Sequence, residues 1–154
     1  MNEFMKKAVE EALEGIRNKE GGPFGAAIVK DGVIIAVGNN KVIATNDPTA
    51  HAEIVAIRRA TEILGRFDLS DCEIYTTCEP CPMCYSAIHW AKIPVMYYGA
   101  TRKDAEDIGF SDKYLYDVLS GEIEDTRLES NQIDVEECLE AFRLYDEDED
   151  KTLY

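Results

Sequence analysis

Thr49-Ala50-His51-Ala52-Glu53 and, thirty positions on, Pro80-Cys81-Pro82-Met83-Cys84 are the stretches around which the chain is organised. Histidine and cysteine are the ligand types that a borderline-soft ion such as zinc prefers. Three protein ligands leave one corner of a tetrahedral ion for water, and a nearby carboxylate can move that water's proton. His51, Cys81 and Cys84 are therefore candidate metal ligands, and Glu53 is the candidate proton carrier.

The local sequence indicates how these residues meet. Phe4, Ala8, Leu13 and Ile16, with charges between them, predict an amphipathic first helix that the Lys19-Glu20-Gly21-Gly22-Pro23 stretch stops. Ala26 to Val29 and Val33 to Val37 are short apolar runs around Asp31-Gly32, the pair that favours a two-residue hairpin. That hairpin delivers Gly38-Asn39-Asn40 to the rim of a sheet. Asp47-Pro48 predicts the start of a second helix, with Asp as N-cap and Pro at the first helical position. His51 and Glu53, two residues apart, would diverge by about 200° in mid-helix. They share one site only if the helix points its N-terminal end at the metal.

Cys72 to Thr76 reads as a third strand, and Pro80 starts a third helix with Cys81 and Cys84 in its first turn. At i and i+3 these thiols lie on one face, and the positive helix N-terminus favours their thiolate forms. Val95 to Tyr98 is a fourth strand and Ile123 to Leu128 a fifth. Lys103 to Ile108, Lys113 to Leu119 and Val135 to Tyr145 read as helices. The expected fold is a three-layer αβα domain with a mixed five-stranded sheet. It has an N-terminal antiparallel hairpin, parallel strands with right-handed crossovers and helices on both faces. Both metal-binding helices then begin at the carboxyl edge of the sheet, where open α/β folds build their sites.

At 154 residues, with 45% apolar residues and eight tyrosines, the chain makes one folded domain spanning 1–154. Sixteen basic against 31 acidic residues give a net charge of −15, which repels phosphate backbones and weighs against nucleic-acid partners. The N-terminal helix lacks an apolar signal region, and no stretch reaches the ~18 apolar residues of a membrane span. Three of five cysteines crowd into Cys78, Cys81 and Cys84, a pattern of metal chemistry in a reducing cytoplasm rather than of disulfides. The rival to an open site is a structural zinc closed by His51, Cys78, Cys81 and Cys84, which would make the chain a zinc-stabilised binding module. Asn39 and Asn40 also fit plain turn residues, and Phe24, Trp90 and Phe110 fit core or lid aromatics.

With these residues in hand, the chain resembles the cytidine-deaminase-like superfamily, whose signature is H-x-E followed by P-C-x-x-C. It is most similar to the guanine deaminase branch. The resemblance covers Gly21 to Ala26, Asn46 to Glu53, Cys78 to Cys84 and Ile108-Gly109-Phe110-Ser111-Asp112, while residues 120–134 carry no part of it. It implies a zinc ion, one per subunit, held by His51, Cys81 and Cys84, with Glu53 as proton shuttle. Asn40 would hydrogen-bond the base, Phe24 and Trp90 would line apolar walls, and the Ala52 and Cys81 amides would position water and substrate. Asp112 would accept from purine N–H groups, and Tyr154 would close the pocket from its own or a neighbouring subunit. The implied activity is hydrolytic deamination of guanine to xanthine and ammonia by a homodimer. Its segment of about 120–154 would reach over or exchange with the partner. Guanosine, cytosine and tRNA adenosine are the alternative substrates that the same signature serves.

Overall fold

Asp31 and Gly32 both adopt positive φ, +50° and +74°, the geometry that turns a chain back with the natural twist of its strands. The computed structural model, which describes residues 2–154, accordingly joins β1 (Gly25–Lys30) to β2 (Val33–Asn39) as an antiparallel hairpin, Lys30 opposite Val33. β3 (Glu73–Cys78) runs antiparallel along the other side of β1, and β4 (Val95–Ala100) lies parallel to β3. The order is β2-β1-β3-β4. The carboxyl ends of β2, β3 and β4 and the start of β1 therefore share one edge.

Alternation along β1 feeds two cores. Ala27 and Val29 join Ala8 of α1 (Glu3–Arg17) and Tyr75 on one face. Ala26 and Ile28 join Ala52, Ala56 and Ala60 of α3 (Ala52–Leu64) and Ile88 of α4 (Pro82–Trp90) on the other. With helices on both faces, the expected αβα layering and mixed sheet are met. Small residues let α3 lie close to the sheet. A Cβ on Gly38 would come within 2.7 Å of both the Ala52 carbonyl oxygen and the Ala56 nitrogen.

Three expectations are corrected. Among the described residues the sheet has four strands, and Ile123 to Leu128 forms none. Charged residues interrupt that run, Ile123 and Leu128 are exposed, and Asp125 Oδ1 accepts the backbone N–H groups of Arg127 and Leu128, curling the chain into a turn. The second long helix starts at Ala52 rather than Asp47, because Asp47 Oδ1 takes the N–H and hydroxyl of Thr49 in a local turn. A four-residue helix, α2 (Val42–Thr45), precedes that turn and had no signal in the sequence. The third long helix likewise begins at Pro82, so Cys81 caps it instead of lying within its first turn.

α5 (Arg102–Asp107), capped by a reciprocal Thr101–Asp104 pair, and α6 (Lys113–Ser120) fall where expected. The chain divides into two compact units, Met1–Tyr116 and Asp117–Tyr154. The second contains α7 (Val135–Glu147), whose Val135, Leu139 and Phe142 are all exposed. No helix among the described residues is long and apolar enough to cross a membrane.

Candidate metal centre

Two helix starts build the site. His51 is the N-cap of α3 and Cys81 the N-cap of α4, both with extended backbone at φ −69°. An N-cap side chain turns back over the first turn, toward N2 and N3. His51 and Glu53, though only two residues apart, thereby share Cys84 as a neighbour, its Sγ lying 3.6 Å from His51 Nδ1 and 3.3 Å from Glu53 Oε2. This answers the geometric demand that the sequence posed, that α3 point its N-terminal end at the site.

His51 Nδ1 lies 3.5 Å from Cys81 Sγ and 3.6 Å from Cys84 Sγ, and all three donor atoms fall within 4.8 Å of one another. Zinc–sulfur and zinc–nitrogen bonds of about 2.3 and 2.1 Å at a tetrahedral angle separate the two donor types by about 3.6 Å. The donor set therefore fits a zinc ion in both chemistry and spacing. Cys78 does not complete it. Its Sγ lies 3.5 Å from the Thr101 carbonyl oxygen, and burial pushes its thiol up to about 11. The closed Cys₃His alternative is thus not formed.

The electrostatics of the cluster follow from its hydrogen bonds. Donation from the Cys84 thiol, aided by His51, holds Cys81 well below the ordinary thiol value and favours its thiolate. Cys84, the donor, is raised, and the hydrogen bond to Cys81 raises His51. A zinc ion held by His51, Cys81 and Cys84 would take Cys84 as a thiolate too, its proton passing to solvent. Glu53 is 6% exposed, with its Oε2 3.3 Å from Cys84 Sγ. Desolvation raises its pKa above the ordinary carboxyl value, which favours a carboxyl group that holds a proton.

The same sheet edge gathers further candidates. Asn40 is buried, its N–H bonded to the Phe24 carbonyl and its Oδ1 accepting from the Val42 N–H. Phe24 packs edge-to-face on Phe110 at 5.1 Å, which draws in the loop carrying Asp112. Burial raises the Asp112 carboxyl, with Arg102 opposing and Cys81 adding to the rise. Ala52, fully buried, opens α3, where first-turn N–H groups have no intrahelical acceptor. Trp90 is not brought to the donor set. It ends α4, nine residues and hence about 13 Å of helix beyond Cys81, and is 67% exposed. Tyr154 belongs to the second unit.

Two supporting residues gave no signal in the sequence. Tyr116 donates its hydroxyl to the Pro80 carbonyl at 2.7 Å while Arg102 stacks over its ring, fixing the chain just before Cys81. Glu20, read as part of a helix stop, bonds the Asn39 amide at 2.6 Å and the Lys41 ammonium at 2.8 Å.

The family model described as the cytidine and deoxycytidylate deaminase zinc-binding region matches residues 1–100. The chain is 47% identical over 142 residues to a guanine deaminase of Bacillus subtilis (strain 168), 92% of this chain and 91% of that protein. The X-ray structure of guanine deaminase from Bacillus subtilis superposes with a TM-score of 0.93 at 46% identity, covering 100% and 99% of the two chains. A tRNA-specific adenosine deaminase of Agrobacterium fabrum (strain C58 / ATCC 33970) is 46% identical over 97 residues, 63% of either chain. By motif, donor geometry and likeness alike, the chain belongs to the cytidine and deoxycytidylate deaminase zinc-binding family.

Proposed function

We propose that this protein catalyses the zinc-dependent hydrolytic deamination of guanine to xanthine and ammonia, as a cytoplasmic homodimer. One observation carries the reading: a buried carboxyl group, Glu53, lies 3.3 Å from a sulfur of the donor cluster. A structural zinc site has no use for such a group. When bound, zinc supplies a Lewis acid that makes water a nucleophile near neutral pH. Glu53 takes the proton of the attacking water as oxygen adds to C2 of the base. The same carboxyl returns it to the exocyclic amine as the carbon–nitrogen bond breaks, so one water is consumed and one ammonia leaves. General acid–base transfer of this kind contributes about 10²–10⁴-fold.

Substrate contacts extend the proposal. With its Oδ1 committed to Val42, Asn40 presents amide N–H donors, which suit the acceptor atoms of a purine. Asp112 accepts from ring N–H groups, Phe24 lies against the ring face and the Ala52 N–H helps hold water and substrate. The length of α4 argues against a contact between Trp90 and the base in the same subunit. The net charge of −15 disfavours a tRNA substrate. Apolar residues exposed along α7 suit burial against a second copy, with 120–154 exchanged and Tyr154 closing a pocket. Cys72, Cys78, Cys81, Cys84 and Cys138 are all free of disulfides, in keeping with a reducing compartment.

Ammonia release from zinc-loaded enzyme with guanine, guanosine, cytosine, cytidine and adenine tests the substrate. Guanine should lead by about 10⁴-fold, the range that buried hydrogen bonding can reach. Equal turnover of cytosine would overturn the assignment. Light scattering that returned 17.3 kDa, the mass of one chain, would remove the dimer.

A further inference from the structure

Asn39 is 5% exposed and buries an amide that must find partners. Its Nδ2 donates to Glu20 Oε2 at 2.6 Å and to the Asn40 carbonyl at 3.2 Å. The same Glu20 oxygen receives Lys41 Nζ at 2.8 Å, and the Glu20 carbonyl accepts the N–H groups of Ile43 and Ala44. One residue therefore grips the chain immediately before, immediately after and one turn beyond Asn40. Lys41 in turn donates its N–H to the Ala50 carbonyl, adjoining His51.

The space around this grip is closed. A Cβ on Gly21 would come within 2.1 Å of Asn40 Oδ1, and one on Gly15 within 2.5 Å of Asn39 Nδ2. The asparagine pair sits in a socket with no slack, yet neither Gly15 nor Gly21 supplies a polar anchor. The ion pair and amide bond also hold the Glu20 carboxyl below its ordinary value, so it is charged at neutral pH. An exposed ion pair alone contributes little, but a charged acceptor for a buried amide is one of the stronger hydrogen bonds.

We infer that Glu20 is a positioning residue for base recognition: by clamping Asn39 and Lys41 on either flank, it fixes the direction in which the Asn40 amide faces the substrate. The inference rests on the reading of Asn40 as a base contact. Glu20 bonds Asn39, Lys41, Ile43 and Ala44 rather than the metal ligands, so its effect belongs to binding that is equal in ground and transition states, which moves KM and leaves kcat.

The test is a double-mutant cycle on the zinc-loaded enzyme with guanine, using Glu20→Ala, Asn40→Ala and the double variant. Glu20→Ala should raise KM about tenfold, the worth of one good hydrogen bond, with kcat within about threefold and zinc content unchanged. In the Asn40→Ala background the same substitution should leave KM where Asn40→Ala alone put it. Equal tenfold increases in both backgrounds would overturn the inference, because Glu20 would then act without Asn40. So would an unchanged KM in Glu20→Ala beside a raised KM in Asn40→Ala. An unchanged KM in Asn40→Ala would overturn the base-contact reading itself, a distinguishable failure. Should Glu20→Ala not fold, Glu20→Gln carries the test. It keeps an acceptor for Asn39 while releasing Lys41, and its smaller rise in KM should vanish in the Asn40→Ala background. Parallel losses of kcat, zinc and thermal stability would mark a merely structural residue and overturn the inference.

Discussion

Gly38→Ala asks how closely α3 must approach β2 for the centre to work. The added methyl would sit 2.7 Å from the Ala52 oxygen and the Ala56 nitrogen and 3.1 Å from Val55 Cβ, where ordinary contact begins at 3.4 Å. Two of the three atoms are backbone, so no rotamer relieves the clash, and helix and strand must part by about 0.7 Å. Overpacking of this kind costs about 1–3 kcal/mol. At about 2–4 °C per kcal/mol for a chain of this size, the melting temperature should fall by about 2–12 °C. Function should suffer more than stability. The moving end of α3 carries His51 and Glu53, while Gly38 lies two residues before Asn40, so the shift separates proton carrier from base contact. A misplacement near 1 Å can cost about 10²-fold in rate. Ammonia-release kinetics, zinc analysis and thermal melts on the same preparation measure all three effects. A Gly38→Ala enzyme with wild-type kcat and wild-type melting would refute the claim that α3 is seated by this glycine.

Glu53→Gln should retain zinc but lose about 10²–10⁴-fold in kcat, the share of acid–base transfer; a fully active Gln variant would refute the shuttle. Cys81→Ala and Cys84→Ala should lose the metal along with activity, whereas Cys78→Ala, whose thiol faces the Thr101 carbonyl, should keep one zinc per chain by elemental analysis. Metal-depleting loss in Cys78→Ala would mean that the ligand set is misassigned. At the far end of β3, Lys30 at 2.9 Å and Arg66 at 2.6 Å hold the Asp71 carboxyl well below the usual carboxylate range. A depressed folded-state pKa stabilises the protein above the unfolded value of about 3.9 and loses that contribution as pH falls toward the folded one. Asp71→Asn should therefore unfold at lower urea than wild type at pH 7, and the gap should narrow below about pH 4. A gap that is constant with pH would show that charge is not the cause.

The parts legible in the sequence were those fixed by local chemistry. Asp31-Gly32 specifies its turn through backbone conformations that few other residue pairs accept, and His51, Glu53, Cys81 and Cys84 carry their chemistry in spacing alone. What was not legible depended on competition. Asp47 and Pro48 are good helix starters, but the Asp47 side chain is captured two residues on by Thr49, so the helix waits for His51. That delay is what lets His51 and Glu53 share a site. Asp125 similarly diverts the apolar residues between 123 and 128 from a strand. Trp90 ends α4, about 13 Å of helix beyond Cys81, a separation that residue type alone does not reveal. Glu20 and Tyr116 act through pairings 19 to 36 positions apart, which no periodicity records.

β1 alone runs against its three companions, and this sends Asp31 and Gly32 to the rim opposite the metal donors. A tag, epitope or reporter peptide grafted between those two residues would thus project from the back of the molecule. Lengthening a connection there is inexpensive, because closure entropy grows only with the logarithm of loop size. The reversed strand hands the engineer an attachment point that chemistry at the front would not feel.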